Sequence, residues 1–433
     1  MMKMKKEFID NLSKYLPQEE IDLLIKSLEK ESKHGLLLNT DKMDENTLLS
    51  LFPHIEKHPF LPNGFIYDKK EYDLGKSIYH ELGCFYLQEP SAMLVSYLLA
   101  PNENDILLDL CAAPGGKTIG ASLSMNNKGL IIANDLSRSR TLIMQDNIQR
   151  LGRGNVLITN NDFAYIKDNY QNYFTKIILD APCSGSGMFR KEEKMMQDWS
   201  INKVFKFSIT QCALIDIAYG MLAPGGSMVY STCSYSYEED EMVIKHLLEN
   251  TDAELLPIMD NELFYKSKEG IGIHLFPSHF PGEGHYICLI KKPGILNNKT
   301  KIPYNKNTYS IKMLEHYDIK NFNNVLYGLP ILFSYKKLNI IQYGLKIGEI
   351  FSKNILFDYH LAHYINDYSQ SISLDEKQTA KYISGEQIET ESQFKGNVLL
   401  KYQGINIDFS KNNANICKNH YPKIFRKKDL RFN

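Results

Sequence analysis

The chain of 433 residues has no stretch near the ~20 consecutive apolar residues that a membrane span requires, so no membrane contact is expected. It has no C-x-x-C pair. Its seven cysteines (Cys84, Cys111, Cys183, Cys212, Cys233, Cys288 and Cys417) are odd in number and scattered. That speaks against a disulfide framework or a cysteine zinc site, and for a reducing, cytoplasmic setting. A charge excess is also missing: 50 basic side chains oppose 51 acidic ones, and a net charge of -1 gives no global sign of a polyanion partner. The basic start Met1–Lys6 runs into amphipathic text without an unbroken apolar core, so no signal peptide is expected. Internal repeats, low-complexity tracts, G-x-G-x-x-G and G-x-x-x-x-G-K-[ST] are all absent.

What is present is an ordinary globular balance, 43% hydrophobic and 23% charged, in a chain long enough for two or three domains. Phe8, Leu12, Tyr15 and Leu16 share one face of a short helix, and Pro17 opens a second with Ile21, Leu24, Ile25 and Leu28 at helical spacing. Mixed text containing Pro53, Pro59 and Pro62 follows to Leu87. From Asp105, the apolar runs Ile106–Leu108, Leu130–Ala133, Val156–Ile158, Ile177–Leu179, Met228–Tyr230 and Tyr286–Ile290 alternate with helix-like stretches. This is the pattern of a parallel sheet covered on both faces. Lys291–Tyr304, rich in Lys, Asn and Pro, reads as a linker. Beyond it, Asn324–Asp367 sets turn glycines (Gly328, Gly344, Gly348) between β-branched and aromatic runs, as in a small α+β or barrel-like unit.

Five strand ends carry chemistry. After Leu107-Leu108-Asp109, the loop Leu110-Cys111-Ala112-Ala113-Pro114-Gly115-Gly116-Lys117 lets backbone approach a ligand closely, before a helix that starts near Thr118. The carboxyl end of the first strand of an open parallel sheet is where nucleotide-like ligands sit; a plain strand-to-helix turn has the same small residues. Asp135 follows the next strand at the distance of a ribose-binding acid, or is a helix cap. Asp162, after the third, suits an adenine amine or a loop position. Asp180-Ala181-Pro182-Cys183-Ser184-Gly185 sets a carboxylate beside a thiol, and Ser231-Thr232-Cys233-Ser234 brings a second thiol, followed by the acidic run Glu238–Glu241. A single Cys reads as a small buried hydrophobe; two at strand ends beside ligand loops point to one cleft.

Cys111–Lys117, Asp180–Gly185 and Ser231–Ser234 together resemble the RNA cytosine-5 methyltransferase family, across roughly residues 84 to 292. Gly344–Glu349 and Lys418–Lys423 resemble the C-terminal, PUA-type RNA-binding region of bacterial members that modify small-subunit ribosomal RNA. The resemblance implies an α/β fold: a Rossmann-like methyltransferase domain with a small N-terminal module and a C-terminal α+β PUA-like domain. The expected division is 1–87 (N-terminal RNA-binding module), 88–292 (catalytic), 293–304 (linker) and 305–433 (PUA-like).

It also implies S-adenosylmethionine as cofactor, held by Cys111, Ala112, Ala113, Pro114, Gly115, Gly116 and Lys117, with Asp135 at the ribose, Asp162 at the adenine and Asp180 bordering methyl donor and target base. Cys233 is the implied nucleophile and Cys183 assists product release. The chemistry needs these types: carbon 5 of cytosine is a poor nucleophile until a thiolate adds to carbon 6. Asp180 would stabilise the adduct by hydrogen bonding or protonation, and strand-end amides or Lys191 would favour the thiolate. The target base must be flipped out or unpaired.

Two departures stand out: His274 replaces a usual arginine, putting a phosphate or base contact there in doubt, and Asp408-Phe409-Ser410-Lys411 replaces a more glycine-rich turn. The expected partner is RNA, small-subunit ribosomal RNA or the subunit itself, bound by a monomer. The alternatives are the same chemistry on transfer RNA, methylation of an exocyclic amine, which the Asp180–Cys183 text disfavours, or a non-catalytic ribosome-assembly factor. From Lys411 onward, seven basic residues (Lys411, Lys418, Lys423, Arg426, Lys427, Lys428, Arg431) face the single acid Asp429. Tyr421, Phe425 and Phe432 among them are expected to stack on bases.

Overall fold

The computed structural model describes residues 4–296, 311–335, 337–352, 354–413 and 415–432, so 297–304 of the expected linker lie outside the described residues. The two N-terminal helices form at Lys6–Leu12 and Gln18–Leu28. Phe8, Leu12, Leu16, Ile21, Leu24 and Leu28 pack on Phe189, Trp199 and Phe276, so this helix pair clamps the segment that follows Cys183. Full burial of each such side chain is worth about 1.5–3 kcal/mol against exposure. The chain then builds an antiparallel sheet in the order Glu56–Lys57, Gly64–Tyr67, His34–Leu38, Phe85–Gln88.

The central sheet contains β1 (Ile106–Asp109), β2 (Leu130–Asn134), β3 (Val156–Thr159), β4 (Phe174–Asp180), β5 (Leu222–Thr232) and β6 (Tyr286–Lys291), in the order β3-β2-β1-β4-β5-β6. All neighbours are parallel except β6, which runs antiparallel to β5. Each expected apolar run lies inside one of these strands. Burial on both faces explains why those runs are continuous and not alternating. The strand order reverses between β1 and β4, and ligands of open α/β sheets bind outside the carboxyl ends at that switch point. Among the described residues no helix is long and apolar enough to cross a membrane.

Strand Ile340–Tyr343 pairs antiparallel with β3, extending the central sheet with a segment far along the chain. Two further sheets follow: Asp318–Phe322, Val325–Leu329, Leu345–Phe351 and Asn354–Phe357 form one, and a five-stranded sheet built on Gly396–Tyr402 and Ile405–Asn413 forms the other.

Three local expectations change here. Gly344 does turn, at φ +61°, but Gly328 and Gly348 lie inside strands. A Cβ on Gly348 would meet Leu356 O at 2.3 Å and one on Gly328 would meet Tyr317 at 2.9 Å, so close approach selects glycine at both. Asp408–Lys411 is strand interior, with buried Asp408 accepting from Tyr382 Oη at 2.9 Å. Tyr421 and Phe425 are core residues, not base platforms, and Phe432 is half-buried. Tyr421 is buried, gives its hydroxyl to Glu81 at 2.6 Å and meets Tyr359 edge-on; Phe425 packs on Tyr359 and Phe432 on Tyr402. Lys427 completes the contact by pairing with buried Glu81 at 2.7 Å. One hydrophobic cluster thus joins the N-terminal sheet to the C-terminal region.

Candidate active site

At the carboxyl edge of β1, β4 and β5 lies a cavity of about 340 Å³. Ala112, Ala113, Pro114, Gly116 and Lys117 wall one side, Asp180 and Cys233 another, and Gln88, Lys191 and His285 close it. Small residues in the 112–117 loop keep side chains out of the way. Gly115 takes φ +105°, outside the usual range of L-residues, and a Cβ on Gly116 would press on Gln88 at 3.0 Å. Helix Gly116–Ser124 then starts, as the loop pattern predicts.

Asp180 ends β4 and accepts from Ser231 Oγ at 2.7 Å. Lys117 Nζ sits 2.7 Å from its other oxygen and His285 Nε2 3.8 Å away. Burial works to raise the carboxyl pKa, but Lys117 and His285 outweigh it and hold the group well below the usual carboxylate range. It is therefore a carboxylate at neutral pH. Asp109, buried at the end of β1 and bonded to Thr118 Oγ1 at 2.6 Å, is pushed up by burial to about 7.

Cys183 Sγ and Cys233 Sγ are 3.2 Å apart. Cys233 lines the cavity; Cys183 touches Cys233 without lining the cavity. The contact with Cys233, then burial, raise the Cys183 thiol pKa well above its ordinary value. The two loops are stitched together: Gly187 N–H donates to Cys233 O at 2.7 Å and Tyr235 N–H to Ser186 Oγ at 2.8 Å. Glu239, with no exposed surface, accepts from Ser184 N–H (2.7 Å), Ser234 Oγ (2.6 Å) and Gln211 Nε2 (3.1 Å), and also from Ser184 Oγ. Burial raises the Glu239 pKa, and the serine bonds oppose that. One carboxylate thus holds the residues that follow both cysteines.

The other expected ligand residues are spread wider. Asp135 is buried beside the loop, accepting from Ala113 N–H (3.2 Å) and Ser137 N–H (2.9 Å), and faces Arg140 at 3.4 Å. Cys111 packs toward the core without lining the cavity, and burial raises its thiol pKa well above the ordinary value. Asp162 is exposed and caps helix Phe163–Asn169 through Ala164 N–H, at 2.9 Å. His274 also lies away from the cavity: it is buried, 2.9 Å from Glu241 and stacked on Phe276.

The same arrangement extends to other proteins. The family model described as 16S rRNA methyltransferase RsmB/F matches residues 96–291, that for the N-terminal domain of 16S rRNA methyltransferase RsmF matches 4–90, and that for the methyltransferase RsmF PUA domain matches 369–427. A solved methyltransferase homolog protein from Pyrococcus horikoshii is 30% identical with a TM-score of 0.59, covering 67% of this chain and 96% of that one. The chain belongs to the 16S rRNA methyltransferase RsmB/F family. Two of its similar relatives are named ribosomal RNA small subunit methyltransferase F. That of Shewanella woodyi is 28% identical over 98% of this chain and 97% of that protein; that of Vibrio vulnificus is 29% identical over 98% of each.

Family members of this class use S-adenosylmethionine, and the residues present suit it. A small-residue loop borders an ionised Asp180 fit to face a cation, and Oδ1 of buried Asp109 has no partner among the described residues.

Glu239, His285 and Gln88 are site residues to which motif reading assigns no role. Glu239 lies within the acidic run Glu238–Glu241, to which the sequence reading gives no role. All four acids are in fact buried.

Proposed function

We propose that the protein methylates carbon 5 of a cytosine in 16S ribosomal RNA, with S-adenosylmethionine as methyl donor and Cys233 as covalent nucleophile. The observation that carries this reading is the pair of thiols 3.2 Å apart, at the ends of neighbouring strands, beside the carboxylate of Asp180. Bound cofactor supplies an electrophilic methyl sulfonium, expected along Ala112–Lys117 with its ribose toward Asp135. Asp162 caps its helix through one carboxylate oxygen and would meet the adenine amine with the other.

The chain's own residues then divide the work. Cys233 Sγ adds to carbon 6, and the displaced ring electrons make carbon 5 nucleophilic. Asp180, ionised beside Lys117, accepts from the exocyclic amine, so the sequence-based option of its protonation is set aside in favour of hydrogen bonding. Cys183 first gives its own proton to solvent; as a thiolate it takes the carbon 5 proton after transfer, and the carbon 6–sulfur bond breaks to restore the ring and free Cys233. Its elevated pKa keeps it a protonated thiol until then. The largest cause of that elevation is its bond to Cys233, which disappears once Cys233 is tied to the base.

Residues 1–87 and 305–433 are proposed as RNA-binding parts around the catalytic segment 88–292, in a cytoplasmic monomer. Incubation with labelled S-adenosylmethionine and small ribosomal subunits, naked 16S RNA or transfer RNA, followed by mapping of the labelled nucleotide, tests the assignment. Cys233→Ala is expected to abolish transfer with cofactor binding intact. Cys183→Ala is expected to accumulate a protein–RNA adduct stable on denaturing gels. Full turnover by Cys233→Ala, or label confined to transfer RNA, overturns it.

A further inference from the structure

A second cavity, of about 270 Å³, opens between the N-terminal sheet and the catalytic segment. Leu87, Gln88, Glu89 and Lys191 line both this cavity and the active-site cavity, so the two share a wall. Across from that wall stand His34, Tyr67 and Lys69. His34 and Tyr67 are register partners on adjacent strands, with ring centroids 5.7 Å apart. Tyr67 is buried and supports the half-buried His34 ring.

The charges at this cavity are unevenly committed. Lys69 and Lys191 are exposed, and neither is in an ion pair among the described residues. Burial, then Lys191 and Lys69, lower the His34 pKa, so its imidazole is a neutral ring at pH 7. Three carboxylates stand nearby and each has a partner: Glu89 accepts from the N–H groups of Ser91, Ala92 and Glu283, Asp68, which opposes the lowering at His34, accepts from Lys70 N–H at 2.8 Å, and Asp73 faces Arg431 at 3.8 Å. A flat neutral ring and two cations outside any ion pair, lining one cavity, suit a base and its phosphate.

We propose that this cavity holds a nucleotide next to the target cytosine on the same RNA strand, its base on His34 and its phosphate between Lys69 and Lys191. The proposal rests on the neighbouring cavity being the site of the target base. A base drawn out of its stack leaves its neighbour without a partner, and the His34 ring replaces that partner. The N-terminal sheet is then part of the substrate-reading surface as well as packing for the catalytic segment.

Three single variants of the full chain test this: His34→Ala, Lys69→Ala and Gly75→Phe. Gly75 edges the cavity, and a Cβ there meets nothing nearer than Leu87 at 3.9 Å, so a large side chain grows into open space. On the RNA that the wild-type protein methylates, each variant is expected to raise KM and the cofactor-free RNA Kd by about fivefold or more. Maximal turnover and cofactor Kd stay within about twofold. Lys69→Ala also lowers the slope of log Kd against log salt by about one. Wild-type KM and Kd in all three overturn the proposal, and so does a fall in kcat at unchanged KM. If the wild-type protein transfers no methyl group to cytosine, the reaction assignment fails, while the RNA Kd comparison still decides this cavity.

Discussion

Glu239→Gln separates the two things the Glu239 carboxylate does, stabilising buried loops and setting the spacing of the thiols. The native side chain satisfies the Ser184 amide, the Ser184 and Ser234 hydroxyls and the Gln211 amide without touching solvent. Glu239→Ala leaves these donors in a void. An orphaned buried donor costs about 1–3 kcal/mol, though the two hydroxyls, 3.4 Å apart, recover part of this by bonding each other. The net loss expected is about 3–5 kcal/mol, enough to threaten folding.

Glu239→Gln keeps the volume and one oxygen for Ser184 N–H, but points an amide at hydroxyls that must turn round. The expected cost is about 1–2 kcal/mol. The spacing of Cys183 and Cys233 should suffer more than stability does, since a displacement near 1 Å at a reacting group is worth about 10²-fold in rate. Urea denaturation and single-turnover methyl transfer, run well below the unfolding midpoint, read the two effects separately. The Gln variant should transfer methyl and then release RNA slowly, with an adduct visible on denaturing gels. A Gln variant with the wild-type midpoint and wild-type release refutes the reasoning, because the carboxylate would then neither stabilise nor align the loops.

Lys117→Met removes the cation that holds Asp180 down, so the Asp180 pKa should rise and the acidic limb of the kcat/KM profile should move to higher pH. An unmoved limb would assign that task to His285 alone. His58, whose ring accepts from the Phe60 and Leu61 N–H groups, is lowered by burial to about 4 against an ordinary 6.5. Below pH 6.5 the unfolded chain binds a proton the folded one refuses, so stability falls by about 1.4 kcal/mol per pH unit from 6.5 down to about 4 and is unaffected above. His58→Asn should remove that increment from the pH dependence measured by urea melts; parallel curves for the two proteins would contradict it.

Strand ends and their chemistry were readable because they are local. A continuous apolar run bounded by Asp and small residues specifies a doubly buried strand followed by a ligand loop, and β1, β4 and β5 end where the motifs predict. The tail was misread because composition records charge and aromaticity but not which face meets a partner. Tyr421 and Lys427 are committed to Glu81, more than 300 positions away, and only the folded chain brings that carboxylate within reach. Ile340–Tyr343 lies beyond the expected linker yet pairs with β3, because an exposed strand edge accepts any segment of fitting register, and register carries no label in the sequence.

The sequence by itself determined the chemistry available: two thiols, Asp180 and a small-residue loop, each at a strand end. Periodicity and turn residues act over a few positions, so they dictate local conformation directly. Only the tertiary structure decided which groups share a cavity. It put Cys233 on the wall with Cys183 against it and Asp162 outside, and it made Glu239 the bond between two loops. Those outcomes depend on which buried surfaces meet and which polar groups must then be satisfied, a condition set across the whole fold and not within any segment of it.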